Sequence, residues 1–231
     1  TSTQTVLIGY EAGDAITTGS YNTGIGGAAL GATTTASNNT AVGYSSLSAN
    51  TTGTSNVAVG ATALDSNTEG SRNVAIGFAA GDAITTGSDN TAIGNWSLKT
   101  ATTVDANTAL GTYALKNTTG ANNTSVGKSS LEINNSGAGN TAVGYYAMYA
   151  NTTGSNNTVM GSYALDANDV GLNAVAIGYG AATAWKPTDT GKNITAVGYN
   201  ALSSNTTSGY NTAVGYQAAD AITTGNYAVA I

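Results

Sequence analysis

The sequence predicts an all-β fold, a parallel β-solenoid (β-roll) of about thirteen 17-residue coils, and three observations carry that prediction. A pentad of the form N-T-A-V-G recurs along the chain, closing on Gly9, Gly26, Gly43, Gly60, Gly77, Gly94, Gly111, Gly127, Gly144, Gly161, Gly178, Gly198 and Gly215. Ten of the twelve intervals between these glycines are 17 residues, and the other two are 16 and 20. Glycine supplies 31 of 231 residues, which would cost a helix about 1 kcal/mol at each interior position. A phase held over so many copies also excludes a random low-complexity linker.

The pentad reads as a strand. Alternation sends positions two and four to one face and positions three and five to the other. Position four is always a bulky aliphatic or Met, so its face is expected to be the core, with Ile25, Val42, Val59, Ile76, Ile93, Val143 and Ile177 as its structural residues. The opposite face holds small residues, Ala41, Ala58, Ala75, Ala92 and Ala142 among them. A coil of 17 residues encloses a thin core, and a flat, uncharged alanine ladder admits another backbone closely. That ladder is therefore the expected face toward another chain, and the trimer face once the number of chains is three.

After the glycine comes a second apolar point in A-L form, as at Ala63-Leu64, and a bend whose parity the residues leave open. N-T-T-G then reads as a turn whose glycine, as at Gly53, Gly120 and Gly154, is expected to supply a positive φ. Two short strands and two turns complete a coil. Both length changes fall in this half: a deletion within residues 116–120, and a loop insertion near 183–192 bringing Trp185, Lys186 and Pro187. Such tolerance marks surface loop. Asparagine at position one in ten copies is expected to pass amide hydrogen bonds from coil to coil. Residues 1–231 thus form one repeat array, expected to be a segment of a longer fibre that continues on both sides.

Composition narrows the function. Leu, Ile, Val and Phe fill only 37 positions, so their placement has to decide between a fold and disorder. Six basic residues against twelve acidic ones give no electrostatic footprint for nucleic acid. No apolar run reaches the length of a membrane span. Without Cys or His there is no thiol nucleophile, no Ser-His-Asp triad and no ordinary zinc or haem ligand set. The carboxylates are scattered and the recurrent G-G-x-G-x-D calcium array is missing. A non-enzymatic role without cofactor or metal is expected.

Aromatic residues offer the candidate contacts. Trp96, Tyr113, Tyr146 and Tyr163 share the second place after the pentad glycine and are expected to form a partial column. With Asn and Thr neighbours they suit sugar recognition, though ring stacking within the roll, or packing between chains, is the favoured account. Trp185, in the insertion, is a further candidate for ligand or receptor contact. A flat threonine ladder could order ice, but position-two Thr is paired with an aliphatic at position four.

The pentads Asn73-Val74-Ala75-Ile76-Gly77 and Ala174-Val175-Ala176-Ile177-Gly178 resemble the head repeats of YadA-like trimeric autotransporter adhesins. The 17-residue form with A-L and N-T-T-G is similar to repeats in bacteriophage tail fibres. The resemblance spans the whole chain and implies a homotrimer of left-handed β-rolls. The expected function is that of a structural segment of an extracellular fibre, on a virion or a cell surface. It would project or mediate attachment to a host receptor or glycan, with two sister chains as its closest partners. The phage tail fibre is favoured and the adhesin head is the alternative.

Overall fold

The computed structural model describes residues 4–188 and 193–231. Residues 189–192 of the expected insertion lie outside the described residues. The described residues are all β with no helix, wound as a parallel β-solenoid. The chain divides into two compact units, Thr1–Tyr113 and Ala114–Ile231.

In the first unit the pentads form β1 (Val6–Ile8), β2 (Thr23–Ile25), β3 (Thr40–Val42), β4 (Val57–Val59), β5 (Val74–Ile76), β6 (Thr91–Ile93) and β7 (Thr108–Leu110). Each pairs in parallel with the next, residue i against i+17, as in Val57↔Val74 and Val59↔Ile76. In the second unit the elements are β8 (Asn117–Thr118), β9 (Thr124–Val126), β10 (Ile133–Asn134), β11 (Thr141–Val143), β12 (Thr158–Met160), β13 (Val175–Ile177), β14 (Ile194–Val197), β15 (Asn211–Val214) and β16 (Val229–Ala230). Here β9 and β11 to β16 form the pentad ladder, and the pair from β13 to β14 keeps register across the 20-residue interval. Among the described residues the second strand expected in every coil appears only as β8 paired with β10.

The parity of the pentad is the reverse of the expected one. Ala41, Ala58, Ala75, Ala92 and Ala142 are buried inside their own chain, so they are not a face offered to sister chains. Ile25 and Ile76 are exposed, and Val42, Val59, Ile93, Val143 and Ile177 are half-buried, so none of the seven belongs to the core. The cause lies after the glycine. Residues seven and nine of the coil take positive φ, Ser45 at 50° and Leu47 at 52°, and this path turns the A-L leucine inward. Leu30, Leu47, Leu64, Leu98, Leu115, Leu131, Leu165 and Leu202 are all fully buried.

One large side chain fills most of a coil this thin, and position three is alanine in most coils, although Val159 is buried there beside Leu165. The first two coils show the volume being traded between the two positions. The first coil carries Leu7 at position three and Gly13 at position nine, where a Cβ would lie 2.6 Å from the Leu7 Cδ2. The second coil inverts this, with Gly24 at three and Leu30 at nine; a Cβ on Gly24 would meet the Leu30 Cδ1 at 3.3 Å.

The pentad glycine is required twice over. Gly60 has φ +132°, and a Cβ there would sit 2.5 Å from the carbonyl oxygen of Gly77 in the next coil. The N-T-T-G glycine is needed for a different reason from the expected one. Gly53, Gly120 and Gly154 do not have positive φ. A Cβ on Gly53 would instead collide with the Gly70 carbonyl oxygen of the next coil at 2.2 Å.

That half of the coil is not loose loop either. Asn50, Asn67, Asn134, Asn151 and Asn168 are buried, and their Nδ2 groups donate across the turn, Asn50 to the Gly53 carbonyl at 2.9 Å. They also stack, with Asn67 Nδ2 donating to Asn50 Oδ1 at 3.1 Å. The 16-residue copy absorbs its deletion by putting Thr118 in this place, where its hydroxyl accepts from Asn134 Nδ2 at 3.1 Å.

The position-one asparagines form the expected ladder. The Asn73 Oδ1 accepts from the Asn90 backbone N–H at 3.0 Å, and the Asn73 Nδ2 donates to the Gly87 carbonyl at 2.8 Å. Each such side chain thus ties one coil to the next and closes its own coil. Burial of these amides is tolerable because both ends are satisfied.

Candidate functional site

Inverting the pentad turns a continuous β-branched face outward. Position two holds Thr or Val in every coil and position four holds Val, Ile, Leu or Met. Parallel pairing in register stacks these into two columns within each unit. Several large apolar side chains stand well exposed, Ile76 at 39%, Leu110 at 44% and Met160 at 52%. No charged residue occupies either column. The position-two hydroxyls, such as those of Thr23, Thr40, Thr91 and Thr108, have no hydrogen-bond partner among the described residues. A contiguous, uncharged apolar strip of this kind is the signature of a surface that something covers.

The aromatic candidates form two groups, Trp96 with Tyr113 in the first unit and Tyr146 with Tyr163 in the second, and in each the rings contact one another. Trp96 lies between Phe78 at 6.1 Å and Tyr113 at 5.2 Å, and the Lys99 Nζ sits 5.2 Å from its ring centroid. Tyr146 contacts Tyr145 at 4.5 Å, Tyr149 at 4.9 Å and Tyr163 at 5.9 Å. Tyr179, Tyr199 and Tyr216 continue as near-parallel stacked rings 5.4 and 5.3 Å apart. A sugar stacks on a free ring face, and in the stacked pairs Tyr146–Tyr163, Tyr179–Tyr199 and Tyr199–Tyr216 one face of each ring is taken by the neighbouring coil's ring.

Trp185 is not an exposed contact. It is fully buried, and its indole N–H donates to the Ser208 carbonyl at 2.7 Å. It occupies the coil position that Asn50 and Asn168 hold elsewhere, so the insertion is anchored by an aromatic plug in the core. The irregular sequence around it hid that equivalence.

Charged groups are arranged as coil-to-coil contacts. The Arg72 guanidinium binds both carboxylate oxygens of Asp89, at 2.6 and 2.8 Å, and holds that carboxyl below its ordinary range. Ser48 donates to Asp65 at 2.5 Å, and Thr183 donates to Asp166 at 2.7 Å. Burial raises the Asp82 and Asp166 carboxyls above the ordinary value, against the lowering effect of Lys99 in the first case and of Thr183 in the second. Among the described residues no three acidic side chains converge as a metal would need, no cavity is formed, and no helix is long and apolar enough to cross a membrane. Reading position four as core concealed the outward face, although the pairing of Leu7 with Gly13 and of Gly24 with Leu30 was a visible signal of the true interior. No known protein family, curated protein or solved structure matches the chain.

Proposed function

We propose that the chain is a structural segment of a homotrimeric extracellular fibre, a left-handed β-roll of a phage tail fibre or related surface adhesin that projects or mediates host attachment. The observation that carries this is the outward Thr/Val and Ile/Val ladder. It is regular, uncharged and left half-bare by a chain whose interior is already filled by alanine, leucine and asparagine. Identical chains related by rotation about an axis along the coil stack cover such a ladder with copies of itself. The sister-chain interface therefore belongs to positions two and four, and alanine is excluded from it by its burial. The 17-residue N-T-T-G form favours a phage fibre over an autotransporter head. A host receptor or glycan is then the partner of the fibre, and two further copies are the partners of this segment.

The chain has no cysteine, so one introduced thiol reports one position. Ile76→Cys places it on the outer face and Ala75→Cys places it inside the coil. Mild oxidation is expected to link chains through Cys at position 76 and not at 75. Linkage through 75 alone, or none through 76, would overturn the proposal.

A further inference from the structure

Position two admits only Thr and Val, side chains of one shape that differ in whether a hydroxyl must be satisfied. In the first unit they run Val6, Thr23, Thr40, Val57, Val74, Thr91 and Thr108 from coil to coil. The threonine hydroxyls in this series serve no partner among the described residues. Once another chain covers the face and water leaves, each hydroxyl needs a partner on that chain.

We infer that this Thr/Val order is a register code read by a second copy of the same chain, an inference that rests on the trimeric assembly proposed above. Rotation about an axis along the stack sets each coil against the same coil of its neighbours. Threonine then faces threonine, each hydroxyl donating to one copy and accepting from the other, while valine faces valine in a dry layer. A slip of two coils sets Val6 against Thr40, Thr23 against Val57, and so on through Val74 against Thr108, so that every remaining layer of this series is mismatched, while the run Thr124, Thr141 and Thr158 in the second unit adds little to the code. A slip of one coil mismatches alternate layers of this series, and a slip of four restores its match but leaves only three of its seven layers overlapped.

Side-chain size keeps the same rhythm at position four, where Ile8 and Ile25 are followed by Val42 and Val59 and then by Ile76 and Ile93. A slip of two coils sets isoleucine against valine through all these layers, leaving gaps where valines were meant to be filled against and crowding where isoleucines were not. Hydroxyl pattern and size pattern therefore penalise the same wrong register.

The test uses the full chain with its code inverted: Thr23→Val, Thr40→Val, Val57→Thr, Val74→Thr, Thr91→Val and Thr108→Val. The shapes are unchanged and no hydroxyl within the chain loses a partner. Parent and inverted chains, distinguished by isotope labelling, are unfolded together, refolded and weighed by native mass spectrometry. Each is expected to assemble with its own kind, with mixed trimers at least about tenfold below their random share. Random mixing overturns the code, as does failure of the inverted chain to assemble alone while its circular dichroism matches the parent's. Should six substitutions impair folding, Val57→Thr with Val74→Thr poses the same question at two layers, with a smaller expected depletion. A parent that stays monomeric removes the trimeric assembly and the code together.

Discussion

Ala75 and Ile76 are neighbours in the chain and opposites in the fold, one sealed inside the coil and the other facing out. Ala75→Leu has to overpack a filled interior and is expected to cost about 1–3 kcal/mol or more, whereas Ile76→Ala should cost less than ~1 kcal/mol in an isolated chain, as denaturant titration can measure. The reverse ranking would restore the discarded parity. Asn73→Ala strands the Asn90 N–H and the Gly87 carbonyl, at about 1–3 kcal/mol each, and the same titration reads it. Protonation matters at Asp166, whose carboxyl burial raises above its ordinary value. The folded chain therefore keeps a proton that the unfolded chain has released. This contribution is fully present below the ordinary carboxylate pKa and is lost as pH rises through the raised one. The melting temperature of the parent should accordingly fall relative to that of Asp166→Asn across this window, and a constant difference would speak against it.

At the scale of the coil, the sequence was legible where a rule repeats and opaque where it bends. The 17-residue period, the pentad strands and the position-one asparagine ladder follow from spacing alone. The inward turn after the glycine does not, because Leu47 and Leu64 adopt positive φ, a conformation that costs a non-glycine residue about 1–2 kcal/mol and that no propensity foretells. Packing of the leucine against its neighbours holds it there. From that bend came the inverted core and the outward face on which the proposed interface rests. The second asparagine column was hidden in the same way, because N-T-T-G looks like a solvent turn until its first residue points inward. Trp185 shows how far that column tolerates substitution, since it takes the same place and seals the longest coil. With Trp96→Phe as background, the remaining tryptophan should emit at short wavelength and resist acrylamide quenching. Red-shifted, readily quenched emission would place Trp185 on the surface after all.

At the scale of the whole molecule, the proposed trimer rests on composition and on the outward face. Charged residues are only 8% of the sequence, and one side of the pentad ladder in each unit is apolar and half-covered. Inside, the fold is closed by hydrogen-bonded asparagines and by glycines that let coils approach; outside, it offers the same strip again and again. A solenoid built in this way stabilises itself along the stack, and in the proposed trimer it depends on sister chains across it. The proposed attachment role calls for stiffness more than for a pocket. Native mass spectrometry of the intact chain tests this dependence most directly. The account predicts a species of three times 22.6 kDa that falls to single, still β-rich chains when Val59→Lys and Ile76→Lys put charge on the outward face. A parent that weighs 22.6 kDa at every concentration, or a double-lysine variant that stays assembled, would contradict it.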